Sequence, residues 1–116
     1  MNPRVIFHID EMQKWRLLLH NVRNLLSSYG ETASEVTIEV LANAEAVKGY
    51  VRDEEAGLLE SMETLHQKGV VFTACNNALQ GQNIPREQLF AFVIVVPAGV
   101  RELTDRQMDG YAYIKP

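Results

Sequence analysis

The sequence predicts one three-layer α/β/α sandwich, Rossmann-like, with a mainly parallel five-stranded sheet. Short β-branched runs alternate with stretches of helical periodicity along the whole chain, which is the signature of βαβ units. Its 116 residues suffice for one hydrophobic core. No linker, low-complexity tract or internal repeat divides them, so residues 1–116 read as a single domain. Right-handed crossovers would place helices on both faces and align the strand carboxyl ends along one rim.

The first strand is Arg4 to Ile9. Asp10 then stands at an N-cap position, with Gln13 at capping-box spacing. Met12, Trp15, Leu18, Leu19, Val22, Leu25 and Leu26 form the apolar stripe of a helix that Gly30 ends. Glu31 to Ser34 is a polar connection, and Val36 to Ala42 is the second strand. Asn43 is placed to cap a short helix over Ala44 to Val51. The charged stretch Arg52-Asp53-Glu54-Glu55 leads into a helix with the stripe Leu58, Leu59, Met62 and Leu65. Gly69 follows as its C′ residue, just before a third strand ending on Cys75.

About one helical turn follows Cys75, then the polar loop Gln80 to Asn83 and a helix begun by Pro85 at N1. Phe92 to Val96 is apolar throughout, so it reads as a strand covered on both faces. Pro97-Ala98-Gly99 turns into a helix over Val100 to Met108, and Tyr111 to Ile114 is the last strand.

Composition narrows the function classes. The net charge is −4 with no Lys/Arg cluster, which argues against a nucleic-acid binder. No stretch approaches the ~20 apolar residues of a membrane span. The start of the sequence runs into a strand without a signal-peptide core, so a cytoplasmic protein is expected. One cysteine allows neither a disulfide framework nor a CxxC pair. GxGxxG, Walker, GxSxG and HExxH patterns are all lacking, and no cofactor is expected.

The predicted rim gathers the residues of chemical interest. His8 and Asp10 come from the first strand, Asn43 from the second, Cys75 with Asn76 and Asn77 from the third, and Pro97 with Gly99 from the fourth. A thiolate at the start of a helix is stabilised by the helix dipole and by free N–H groups, and a protonated His8 nearby would add to this. The thiolate is the nucleophile, able to take up sulfur or attack an electrophile. Each residue also has a structural reading. Cys75 can be a packed core thiol and His8 a satisfied core imidazole. Asp10, Asn43, Asn76 and Asn77 can be helix caps, and Gly99 can allow close backbone approach. His20 and His66 fall on solvent-facing helix surfaces. Cys75, His8 and Asp10 fall short of the four ligands of a structural zinc site.

The segments Val5-Ile6-Phe7-His8-Ile9-Asp10, Val40 to Val47, Gly69 to Leu79, Val95 to Val100 and Gly110 to Ile114 together resemble the DsrE/DsrF-like family. That family takes in YchN-type proteins and the TusBCD sulfur-relay subunits. The resemblance implies a Rossmann-like fold, homo-oligomers (trimers or hexamers) and, in the relay members, a cysteine that carries a persulfide. Cys75 matches the carrier position. His8, Asp10 and Asn43 match positions lining its pocket. The chain is closer to the stand-alone branch than to the relay subunits, so a donor or acceptor protein is a possibility that no residue identifies.

Two functions compete on this reading. In one, Cys75 forms a persulfide and passes the sulfur on, which needs no resolving thiol. In the other, the rim binds a small ligand without catalysis, or Cys75 serves as a redox sensor.

Overall fold

The computed structural model describes residues 2–52 and 55–116; Met1 and the Asp53-Glu54 pair of the charged stretch lie outside the described residues. Among the described residues, β1 (Arg4–Ile9), β2 (Thr37–Ala42), β3 (Val71–Cys75), β4 (Ile94–Val96) and β5 (Ala112–Ile114) form one sheet. Its order is β4-β3-β2-β1-β5 and every pairing is parallel. The α/β class and five-strand count follow the sequence reading. No described helix is long and apolar enough to cross a membrane.

Strand order decides where the helices go. The chain steps in one direction from β1 to β4, so right-handed crossovers keep α1 (Trp15–Tyr29), α2 (Leu58–Gln67) and the short α3 (Asn76–Gly81) on one face. The return to β5, at the opposite edge, runs through α4 (Gly99–Met108) on the other face. The two layers are therefore unequal. Val5, Phe7, Ile9, Val40, Phe72 and Ala74 pack with the α1 and α2 stripes in the main core. Ile6, Leu41 and Val96 meet only Leu103 of α4 and Tyr111 in a minor one.

Trp15 locks the main layer. Its indole N–H donates to the Ala46 carbonyl at 2.8 Å, within a 3-10 segment over Ala44–Tyr50. Gly49 leaves no room for a side chain against the same ring.

Several local expectations need correction. Helix α1 is preceded by a separate 3-10 turn, Met12–Lys14, whose N-cap residue is Glu11. Asp10 caps nothing; it pairs with Lys115 at 3.3 Å. Strand parity is the reason, because His8 and Asp10 project to the α4 face while α1 packs on the other. The Met12 N–H is met instead by the Glu45 carboxylate at 3.1 Å. Asn43 occupies the N-cap position of the 3-10 segment, yet its side chain makes no capping bond. The expected helix after Pro85 is a single 3-10 turn, Arg86–Gln88. It ends where Leu89 and Phe90 are drawn into the main core and Leu89 bridges to Val51. Strand β4 is a three-residue edge strand with Ile94 54% exposed, so its apolar run does not mean cover on both faces. Helix α3 extends through the start of the expected Gln80 loop.

Candidate functional site

Cys75 ends β3 and is paired in register with Val96, which ends β4. The chain leaves β3 toward α3 on the main-core face and leaves β4 toward α4 on the opposite face. Adjacent loops that diverge in this way open the crevice where α/β sheets bind ligands. Cys75 thus stands at the switch point of the sheet. Its thiol is free, and the residue is only 6% exposed.

Asn43 lies beside it. The last paired residues of β2 and β3 are Ala42 and Ala74, so Asn43 and Cys75 are the next step along neighbouring strands, on the α4 face. Gly99, the first residue of α4, closes this corner. A methyl group there would lie 3.3 Å from Cys75 Cβ and 3.4 Å from Asn43 Cβ. Those two Cβ atoms are therefore less than about 7 Å apart, consistent with neighbouring strands spaced at about 4.8 Å. Glycine lets α4 begin this close to the thiol.

His8 is buried on β1, and both of its ring nitrogens are engaged. Nδ1 is 2.7 Å from the Tyr113 hydroxyl and Nε2 is 2.9 Å from Asn43 Oδ1. Neither nitrogen is bonded to Cys75, so the expected role of His8 as direct base or cationic partner of the thiol is not what the geometry provides. Tyr113, on the edge strand β5, is the residue that sequence reading missed. Register carries it here: Tyr113 pairs with Ile6 and so shares the face of Ile6 and His8.

The remaining candidates stand further out. Asp10 and Lys115 form an ion pair at the end of β1. Asn76 is half-buried and accepts a 3.4 Å bond from Arg86, while Asn77 is exposed. Both belong to α3, whose N-cap is Cys75 itself. Pro97 is exposed at the end of β4. His20 and His66 are exposed on α1 and α2, with His66 stacked on Phe92 at 5.0 Å. Among the described residues no three His, Cys, Asp or Glu side chains gather as metal ligands.

Below the rim, the α4 face holds a second polar cluster. Glu39 accepts a bond from the Thr73 hydroxyl at 2.9 Å and faces Arg106 Nε at 3.2 Å. Burial, reinforced by a hydrogen bond with Glu102, pushes the Glu39 carboxyl from its ordinary 4.5 up to about 7. The adjacent guanidinium does not offset this. A cleft of about 480 Å³ lined by Arg23, Leu26, Ser27, Ala33 and Lys68 lies at the amino-terminal edge of the sheet. It is remote from the thiol, and we assign it no part in the chemistry.

The model of the DsrE/DsrF-like family matches residues 7–116. The chain belongs to the DsrE/DsrF-like family. Its DsrE-like fold is similar to the structure of MTH1491, a protein of unknown function from Methanobacterium thermoautotrophicum. The two are 36% identical with a TM-score of 0.87 over 98% of this chain and 99% of that one. The ychN protein of E. coli shares the fold at 17% identity and TM-score 0.75, with both chains fully covered. BT1422 of Bacteroides thetaiotaomicron, also of unknown function, does so at 14% identity and TM-score 0.75, over 99% and 96% of the two chains. No curated protein sequence matches the chain.

Proposed function

We propose that this DsrE-family protein is a sulfur carrier in which Cys75 holds a persulfide. The observation that carries the reading is the placement of the sole thiol at the sheet's switch point, beside Asn43 and against Gly99. Membership of a family related to sulfur-relay proteins supports it. In the proposed step the Cys75 thiolate attacks the outer sulfur of a donor R–S–S–H. The new S–S bond forms as the donor's S–S bond breaks, R–S⁻ leaves, and Cys75 carries S–SH with no net oxidant required. An acceptor thiolate reverses the step. Near-burial of Cys75 would shield the persulfide from solvent thiols.

The same reading includes self-association. The α4 face is covered by one helix, and Ile94 and Val100 on that side are 54% and 70% exposed. We propose that another copy of the chain covers this face. The alternative reading, a ligand-binding module, is favoured by that same near-burial of the thiol.

Incubating the reduced protein with a sulfane-sulfur donor and recording its intact mass tests the carrier role. The expected result is a gain of one sulfur atom that reductant reverses, that Cys75→Ser abolishes, and that is faster folded than in urea. No gain, or equal rates folded and unfolded, would leave the ligand-binding reading in its place.

A further inference from the structure

We propose that Tyr113 and His8 are positioning residues that fix the Asn43 carboxamide so that its NH₂ donates to a sulfur anion on Cys75. This inference rests on the carrier reading for the identity of the anion, and on geometry for the rest.

The argument follows the protons. Asn43 Oδ1 can only accept, so the contact at 2.9 Å requires a proton on His8 Nε2. In the neutral ring, Nδ1 is then the acceptor, and the Tyr113 hydroxyl 2.7 Å away donates to it. If the ring gains a second proton, the hydroxyl rotates to accept and Nε2–H still faces Oδ1. The amide orientation is thus the same in both protonation states. The Asn43 oxygen requires the proton on Nε2, the Tyr113 hydroxyl holds the opposite ring nitrogen in place, and the amide is held by its oxygen.

The amide nitrogen is the free end of this relay. Asn43 Nδ2 makes no hydrogen bond among the described residues, yet no buried side-chain nitrogen or oxygen there lacks a partner. The NH₂ group is therefore accessible. Asn43 itself is the next step along the strand beside Cys75, with the two Cβ atoms less than about 7 Å apart. A donor held ready for an anion that forms only during reaction is the arrangement of electrostatic preorganisation. The relay also explains why Asn43, though placed at an N-cap position, spends its oxygen on His8.

The test combines ¹⁵N NMR of the His8 ring with alkylation of Cys75 by iodoacetamide at neutral pH. In the parent protein the ring should be the Nε2–H tautomer. Tyr113→Phe should leave Nδ1 without its partner, loosen the ring and slow alkylation about threefold. Asn43→Asp keeps the shape but replaces the donor by an anion, and should slow it about tenfold or more. An Nδ1–H tautomer in the parent, or parental alkylation rates in both folded variants, would overturn the relay. Should Asn43→Asp fail to fold, the tautomer and the Tyr113→Phe rate decide alone. Neither readout needs sulfur loading. A protein that shows the relay but takes up no sulfur would retain this inference and lose the carrier role.

Discussion

Glu39 of β2 and Arg106 of α4 face each other at 3.2 Å across the interface between the sheet and its one helix on that side. Arg106 also reaches Glu102 at 3.1 Å and Asp109 at 3.5 Å. One cation thus serves three carboxylates, of which only Glu39 is buried in the sheet.

This arrangement has a pH signature. Glu39 titrates near 4.5 in the unfolded chain and near 7 in the folded one. Between those values the folded state binds more protons, so its stability is greatest at the acid end and falls as pH rises to about 7. The loss from this group is about 3 kcal/mol. Glu39→Gln should remove that slope, and urea melts from pH 4.5 to 8 would show it. A slope unchanged in the variant would mean that Glu39 is not its source.

Gly49 sets a different limit. A methyl group there collides with the fully buried Trp15 indole, so Gly49→Ala must displace the ring or break its bond to the Ala46 carbonyl. The expected loss is about 3 kcal/mol, or about 10 °C in Tm, with a change in tryptophan fluorescence. An unshifted melt would show that the ring has room to move.

Gly99→Ala should behave otherwise. The added methyl meets Cys75 and Asn43 at 3.3 and 3.4 Å without a backbone clash, and alanine loses less backbone entropy than glycine on folding, by up to about 1 kcal/mol. Stability should stay within about 1 kcal/mol of the parent, while the rate of Cys75 modification by a disulfide reagent falls. Equal rates would remove Gly99 from the wall of the site.

The thin face offers the fourth prediction. Ile94 is 54% exposed on an edge strand, where a lone apolar side chain invites pairing with another copy. Ile94→Lys should lower the mass measured by light scattering from that of an oligomer to that of one chain. Monomeric behaviour of the parent would dispose of the proposed self-association.

How far the sequence was legible depended on the range of the interaction. Periodicity located β1, the α1 stripe and the α2 stripe, because burial repeats along a single element. At Asp10 and Asn43 neither side chain makes a capping bond. Their residue types favour caps, but the direction of a strand-end side chain is settled by which face the next helix occupies. The exposed edge at β4 was hidden for a related reason: an apolar run reads alike whether its cover is a helix, another copy or water.

The alternation of elements, the family, and the arrival of Cys75, His8 and Asn43 at one end of their strands are all readable along the chain. Those facts are local, written in spacing and side-chain type. Packing in three dimensions sets β4 beside β3 and returns β5 to the side of β1. That order puts α4 alone on one face, makes the end of β3 a switch point, and lays Tyr113 over His8 from 105 residues away. Strand order is a choice among packings of the same elements, and no local pattern records which packing buries the most.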